Sequence, residues 1–249
     1  MTIISKSNGK TTGEPPLAHA VALVTGGSRG IGKAIARKMA ALGAAVSLCG
    51  RDEQALRNTA EELKNLGARV HAQAADVTRA GDVGALVAAT EQKLGPITIL
   101  VNNAGIGGFG PAHEFSEESW DRVLDTNLKS VFLVSKAVVP SMIRQGRGDV
   151  INISSLAGKN TFVGGGVYCA SKWGLLGLSG CMAEDLRGHG IRVSVICPGS
   201  VATEFGGRGP KDPKKVLAAE DVAHAVVMVA TQGPQSFISM VDLRPVKKS

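Results

Sequence analysis

From Ala20 onward, runs of consecutive apolar residues alternate with longer stretches in which apolar positions recur every three or four residues. The first pattern marks buried strands and the second amphipathic helices. The runs are AVALVTG (20–26), AAVSLCG (44–50), ARVHAQAADV (68–77), ITILVNNAG (97–105), DVINISS (149–155), IRVSVICPG (191–199) and FISMVDLRP (237–245). Between them the periodicity predicts helices over 30–42, 52–66, 81–94, 117–145, 168–187 and 220–231. Strands apolar on both faces belong to a sheet covered by helices on both sides. The pattern therefore predicts an α/β fold, a single-domain doubly wound seven-stranded parallel sheet with helices on both faces. Such a sheet holds ligands beyond the carboxyl ends of its strands. Residues 19–249 are read as this domain, and the polar stretch 1–18, MTIISKSNGKTTGEPPLA, as a flexible N-terminal leader.

Composition narrows the function classes. A chain of 249 residues that is 44% hydrophobic can bury a full core, which excludes wholesale disorder. The start lacks the apolar run of a signal peptide, and no later segment has the apolar length of a membrane span. Cys49, Cys169, Cys181 and Cys197 lie far apart with no zinc-type spacing, so no metal site is expected; they read as reduced thiols of a cytoplasmic protein. The net charge of +7 gathers at KDPKK (211–215), VKK (246–248) and the leader, as solvated surface charge. With aromatics at 4%, the stacking platforms of single-strand nucleic-acid binders are absent.

The first strand runs into TGGSRGIG, with Gly26, Gly30 and Gly32 at the turn into a helix, a Rossmann-like junction. Glycines there let a pyrophosphate approach the helix N-terminus, whose unpaired N–H groups favour anions. Ser28 and Ile31 belong to the same turn. The second strand ends in GRDE, with Arg51 where a dinucleotide enzyme selective for NAD places a carboxylate. A guanidinium at Arg51, helped by Arg29, suits a 2′-phosphate and favours NADP(H) over NAD(H). Asp52 and Glu53 are accounted for as a helix N-cap and a dipole partner. Asp76 and Val77 end the third strand, and Asn103, Ala104 and Gly105 follow the fourth. Asp76 suits an adenine amino group, and the small residues suit close backbone approach.

The only tyrosine, Tyr168, is followed four residues later by Lys172, a spacing that puts both on one helix face. An ammonium beside a phenol is expected to pull the phenol's pKa down toward neutrality, making it a usable acid and base. Ser155 ends the fifth strand, where its hydroxyl can hold a carbonyl or alcohol oxygen; Ser154 points to the other face.

The order TGGSRGIG, DV (76–77), NNAG (102–105), TNLKS, ISS, YCASK (168–172) and PGSVAT (198–203) resembles the short-chain dehydrogenase/reductase family over nearly all of 20–245. The resemblance implies Tyr168 as acid/base, Ser155 polarising the carbonyl, Lys172 serving Tyr168 and the nicotinamide ribose, and Asn127 holding a proton-relay water. It also implies that Pro198, Gly199, Val201 and Thr203 meet the nicotinamide end. Within the family the chain is most similar to 3-oxoacyl-[acyl-carrier-protein] reductases, which implies an acyl-thioester substrate, fatty acid biosynthesis, and a homotetramer or homodimer through the helices near 117–145 and 168–187. Arg144, Arg147, Arg187 and His189 are candidate contacts for an acidic acyl carrier protein, although cations at helix ends also complement the dipole. Two features depart from those reductases: the ending SMVDLRPVKKS and the short segment EFGGRGPKDPKKVLA after Thr203. A general ketone, aldehyde or hydroxy-acid dehydrogenase of the same family stays open. So does an NADP-sensing regulator, which would not need the Asn127, Ser155, Tyr168 and Lys172 set.

Overall fold

A computed structural model of the chain describes residues 13–207, 212 and 214–247. In chain order these form β1 (Val21–Thr25), α1 (Gly30–Ala41), β2 (Ala45–Gly50), α2 (Glu53–Asn65), β3 (Val70–Ala74), α3 (Ala80–Leu94) and β4 (Ile99–Asn102). There follow α4 (Glu117–Leu124), α5 (Ser130–Gln145), β5 (Gly148–Ile153), α6 (Gly166–Arg187), β6 (Ile191–Pro198), α7 (Ala219–Ala230) and β7 (Met240–Leu243). The strands make one sheet in the order β3-β2-β1-β4-β5-β6-β7, every neighbouring pair parallel. This is the doubly wound sheet that the apolar runs predict.

Alternation along each strand feeds two cores. Ala22 and Val24 of β1 pack with Ile35 and Met39 of α1 and Val226 of α7, while Val21 and Leu23 pack on the other face with Leu86 of α3 and Val138 and Met142 of α5. The order reverses between β1 and β4, opening a crevice at their carboxyl ends.

Three expectations change. Residues 117–145 are not one regular helix, because a π-turn over Asp125–Lys129 separates α4 from α5. The strands are shorter than their apolar runs: Asp76, Val77 and Asn103 to Gly105 lie beyond the last ladder residues, where the backbone leaves the sheet toward the crevice. The leader ends sooner than expected. Leu17 is buried in the α1/α7 core and its N–H bonds the Leu42 carbonyl at 2.9 Å, so the domain begins before residue 19; residues 1–12 lie outside the described residues. Among the described residues no helix is long and apolar enough to cross a membrane.

Two local arrangements place the crevice's parts. At the β1–α1 turn Gly26 and Gly30 take φ of +64° and +53°, and Gly32 sits so close beneath that an added Cβ would overlap the Gly26 carbonyl oxygen and lie 2.5 Å from Asn103 Nδ2. Behind β5 a chain of buried amides joins sheet to helices. Asn102 Nδ2 donates to Asn152 Oδ1 (2.9 Å) and Ser135 Oγ (3.3 Å), and Asn152 Nδ2 donates to Ser179 Oγ of α6 (2.9 Å). Gly32→Ala is expected to cost about 1–3 kcal/mol, as overpacking does, and to weaken dinucleotide binding, checked by thermal melting and NADPH fluorescence titration. Asn152→Ala removes one partner each from the Asn102 amide, which keeps Ser135, and the Ser179 hydroxyl, which keeps the Leu175 carbonyl, and is expected to cost about 1–3 kcal/mol in all, seen as a lower urea midpoint at unchanged slope.

Candidate active site

A cleft of about 1490 Å³ runs along the carboxyl ends of the strands, from Arg51 after β2 to Arg244 after β7. Ser155, Tyr168, Lys172 and every cofactor candidate named from the sequence line it, except Gly32. Gly32 lies behind the turn, where its lack of a side chain allows close packing.

The dinucleotide half has the features an anion needs. The N-terminus of α1 carries no side-chain cap and no acidic residue in its first turn, so its N–H groups face the cleft unneutralised. Asn103 is spent on the turn itself: its Nδ2 donates to the Thr25 and Gly26 carbonyls at 2.9 and 3.2 Å. Asp52 caps α2 through a 3.0 Å bond from the Ala55 N–H, the role read from the sequence. Arg51 is exposed on the cleft and makes no direct ion pair among the described residues, its charge acting on Asp76 at longer range, whereas Arg29 Nη1 reaches Glu204 at 3.4 Å. Burial acts to raise the pKa of Asp76, but hydrogen bonds from Thr78 N–H (3.0 Å) and Oγ1 (2.7 Å), with the charges of Arg51 and Arg79, hold the carboxyl below its ordinary range. It stays an acceptor at neutral pH.

The catalytic half is built on α6 and β5. Tyr168 and Lys172 occupy the first turns of α6. The phenol shares a hydrogen bond with Ser155, whose Oγ also accepts from the Ala157 N–H at 3.1 Å. Ser154 is buried and donates to the Lys172 carbonyl at 3.4 Å. Lys172 Nζ donates to the Ile153 carbonyl at 3.0 Å and lies 5.9 Å from the Tyr168 ring centre.

The expectation that Lys172 draws the phenol toward neutrality is corrected. Burial pushes Tyr168 up to about 12, opposed by the Ser155 hydrogen bond, and burial pushes Lys172 down to about 8. Loss of water penalises both charged forms, and the cation's attraction does not compensate. Tyr168 is therefore a neutral phenol, a proton donor, across the physiological range.

Asn127 does not line the cleft. It is buried in the π-turn, where Oδ1 accepts from Ile106 N–H (2.8 Å) and Nδ2 donates to the Ile106 carbonyl (2.9 Å) and Ser171 Oγ (3.0 Å). Its amide is consumed in fixing the loop after β4 to α6, so the side chain is not the holder of a relay water that the resemblance implies.

Sequence reasoning missed the aromatic wall. Phe109 and Phe205 flank the Tyr168 ring at centroid distances of 5.3 and 5.9 Å, and Phe162 continues the wall 6.2 Å from Phe109. The signal was the run GIGGFG (105–110): an added Cβ at Gly107 or at Gly206 would lie 2.6 or 2.8 Å from Phe109 Cε2, so those glycines make room for the ring. Arg122 and Arg244, also unremarked, line the cleft. Arg144 and Arg147 close α5, and Arg187 and His189 close α6, both just before β5 and β6 begin, so these cations sit at the sheet edge opposite the cleft.

The short chain dehydrogenase family model matches residues 20–213. A curated relative, the granaticin polyketide synthase putative ketoacyl reductase 1 of Streptomyces violaceoruber, is 45% identical over 193 residues, 77% of this chain and 71% of that one. A metagenomic short-chain oxidoreductase solved with NADP superposes with a TM-score of 0.83 at 42% identity, covering 94% of this chain and 100% of that one. An actinorhodin polyketide ketoreductase variant solved with NADPH gives a TM-score of 0.85 at 31% identity, covering 91% and 96%. With the matched region spanning the glycine turn, Ser155, the Tyr168–Lys172 pair and Pro198–Gly199, this chain belongs to the short-chain dehydrogenase family.

Proposed function

We propose that this protein is an NADP(H)-dependent carbonyl reductase, running in reverse as an alcohol dehydrogenase. The observation that carries the reading is Tyr168, a neutral buried phenol hydrogen-bonded to Ser155 at the cleft wall, with the Lys172 amine behind it. The unneutralised α1 N-terminus and the exposed Arg51 fit a dinucleotide with an additional phosphate, as do the NADP and NADPH held by the two structural relatives. A bound NADPH supplies the hydride.

The chain's residues do the rest. Ser155 and Tyr168 present hydroxyls to the substrate oxygen, orienting the carbonyl and stabilising charge as it grows there. Tyr168 releases its proton to that oxygen. Protonated Lys172, anchored on the Ile153 carbonyl, stabilises the phenolate that remains. Asn127 fixes the Ile106 loop beside the cleft through its amide.

The substrate reading closest to the ketoacyl reductase relatives is a 3-oxoacyl thioester. A simple ketone is the second reading, favoured by the aromatic wall beside Tyr168. An acyl carrier protein delivering a thioester would approach the cleft mouth, because the cations of α5 and α6 are on the far edge. We further propose a cytoplasmic homotetramer or homodimer: Trp120, Phe132 and Trp173 are exposed on α4, α5 and α6, an apolar surface of the kind that subunit contacts cover.

Tyr168→Phe is expected to lower kcat for NADPH-dependent ketone reduction by about 10²–10⁴ while NADPH still binds; retained turnover would overturn the scheme, and a sensor would show no turnover in either form. The reduction needs Lys172 charged. Since burial sets its pKa near about 8, kcat/KM for reduction is at full value below that pH and is lost as pH rises through it, which initial rates across the alkaline range will show.

A further inference from the structure

The chain holds six phenylalanines and one tyrosine; two of the phenylalanines, Phe109 and Phe205, meet that tyrosine, and a third, Phe162, meets Phe109. They come from three separate loops: Phe109 after β4, Phe162 before α6 and Phe205 after β6. Packing of the fold explains Phe109, which lies against the buried Ala157, Tyr168 and Cys169, but not the other two. Phe162 and Phe205 are 44% and 36% exposed, and both rings line the cleft instead of a core. A large apolar side chain left in solvent at the rim of a cleft marks a surface that a ligand covers. Phe109 and Phe205 each meet the Tyr168 ring at a tilt, 54° and 58°, while its hydroxyl stays on Ser155. Rings favour tilted or offset partners, and a further flat group is the natural neighbour for the exposed faces of Phe162 and Phe205. The glycines at 107 and 206 keep this wall closely built against Phe109.

We propose that the substrate carries a flat apolar group, an aryl ring or its equivalent, on the carbonyl carbon, and that Phe162 and Phe205 are the residues that select it. This rests on the carbonyl-reductase reading above and adds the class of substituent. The cation Arg51 stands at the opposite end of the cleft from this wall, so the aromatic surface is not needed for the dinucleotide's phosphates.

The test uses the full chain with NADPH and a matched pair of ketones, acetophenone and 2-butanone, read as the ratio of their kcat/KM values. The unaltered enzyme is expected to favour acetophenone by about 100-fold or more, through KM. Phe162→Ala and Phe205→Ala are each expected to cut that ratio about tenfold, and Phe162→Leu, which keeps bulk without a flat face, to cut it by less. Partial misfolding lowers both rates together and leaves the ratio in place, so the ratio reports the wall alone; Phe162, on an exposed loop, also has little fold to disturb. A starting ratio near one, or a ratio unmoved by both alanine variants, overturns the proposal. If 2-butanone is reduced in a Tyr168-dependent way with no aryl preference, only this inference fails; if neither ketone nor acetoacetyl thioester consumes NADPH, the carbonyl-reductase reading fails with it.

Discussion

The buried contact between α6 and β5 is the constraint on which the remaining chemistry depends. Asn152, wholly buried, holds Ser179 of α6 on one side and Asn102 of β4 on the other. Lys172 reaches past it to the Ile153 carbonyl, and Ser154 bonds back to the Lys172 main chain. Buried polar groups that are all paired admit one register, because any slip orphans several of them at once. This ladder therefore sets the depth at which Tyr168 meets Ser155. The hydroxyls of two residues on different elements can share a proton only if that depth is held to a fraction of an ångström.

The same burial that positions the pair sets its protonation. Tyr168 and Lys172 both lose water, so the phenol is driven toward its neutral form and the amine toward its own. A donor that keeps its proton until the substrate oxygen asks for it suits reduction, and an amine titrating near about 8 ties that step to the state of Lys172. The π-turn solves a different problem. It widens one turn of a long helix so that the Asn127 amide can grip Ile106, which ties the loop after β4 to α6 through Ser171.

Much of this was legible in the chain. The seven apolar runs gave the strands because a parallel sheet buried on both faces needs apolar residues without alternation. TGGSRGIG carried its own geometry, since Gly26 and Gly30 adopt left-handed backbone and Gly32 has no room for a Cβ. Asp52 was identifiable as a cap from its place before a helix. The π-turn was not legible, because DTNLKS contains neither glycine nor proline and reads as ordinary helix. The burial of Leu17 escaped notice because one apolar residue among polar neighbours has no period.

What the sequence determined by itself is whatever local spacing controls: the strand and helix order, the phosphate turn, and the placing of Tyr168 and Lys172 on one helix face. Tertiary structure alone decided what depends on residues far apart in the chain. The protonation of the tyrosine follows from how much water the assembled fold excludes, and spacing says nothing of that. The convergence of Phe109, Phe162 and Phe205 follows from three loops meeting at one edge of the sheet, where no pairwise pattern along the chain records the meeting.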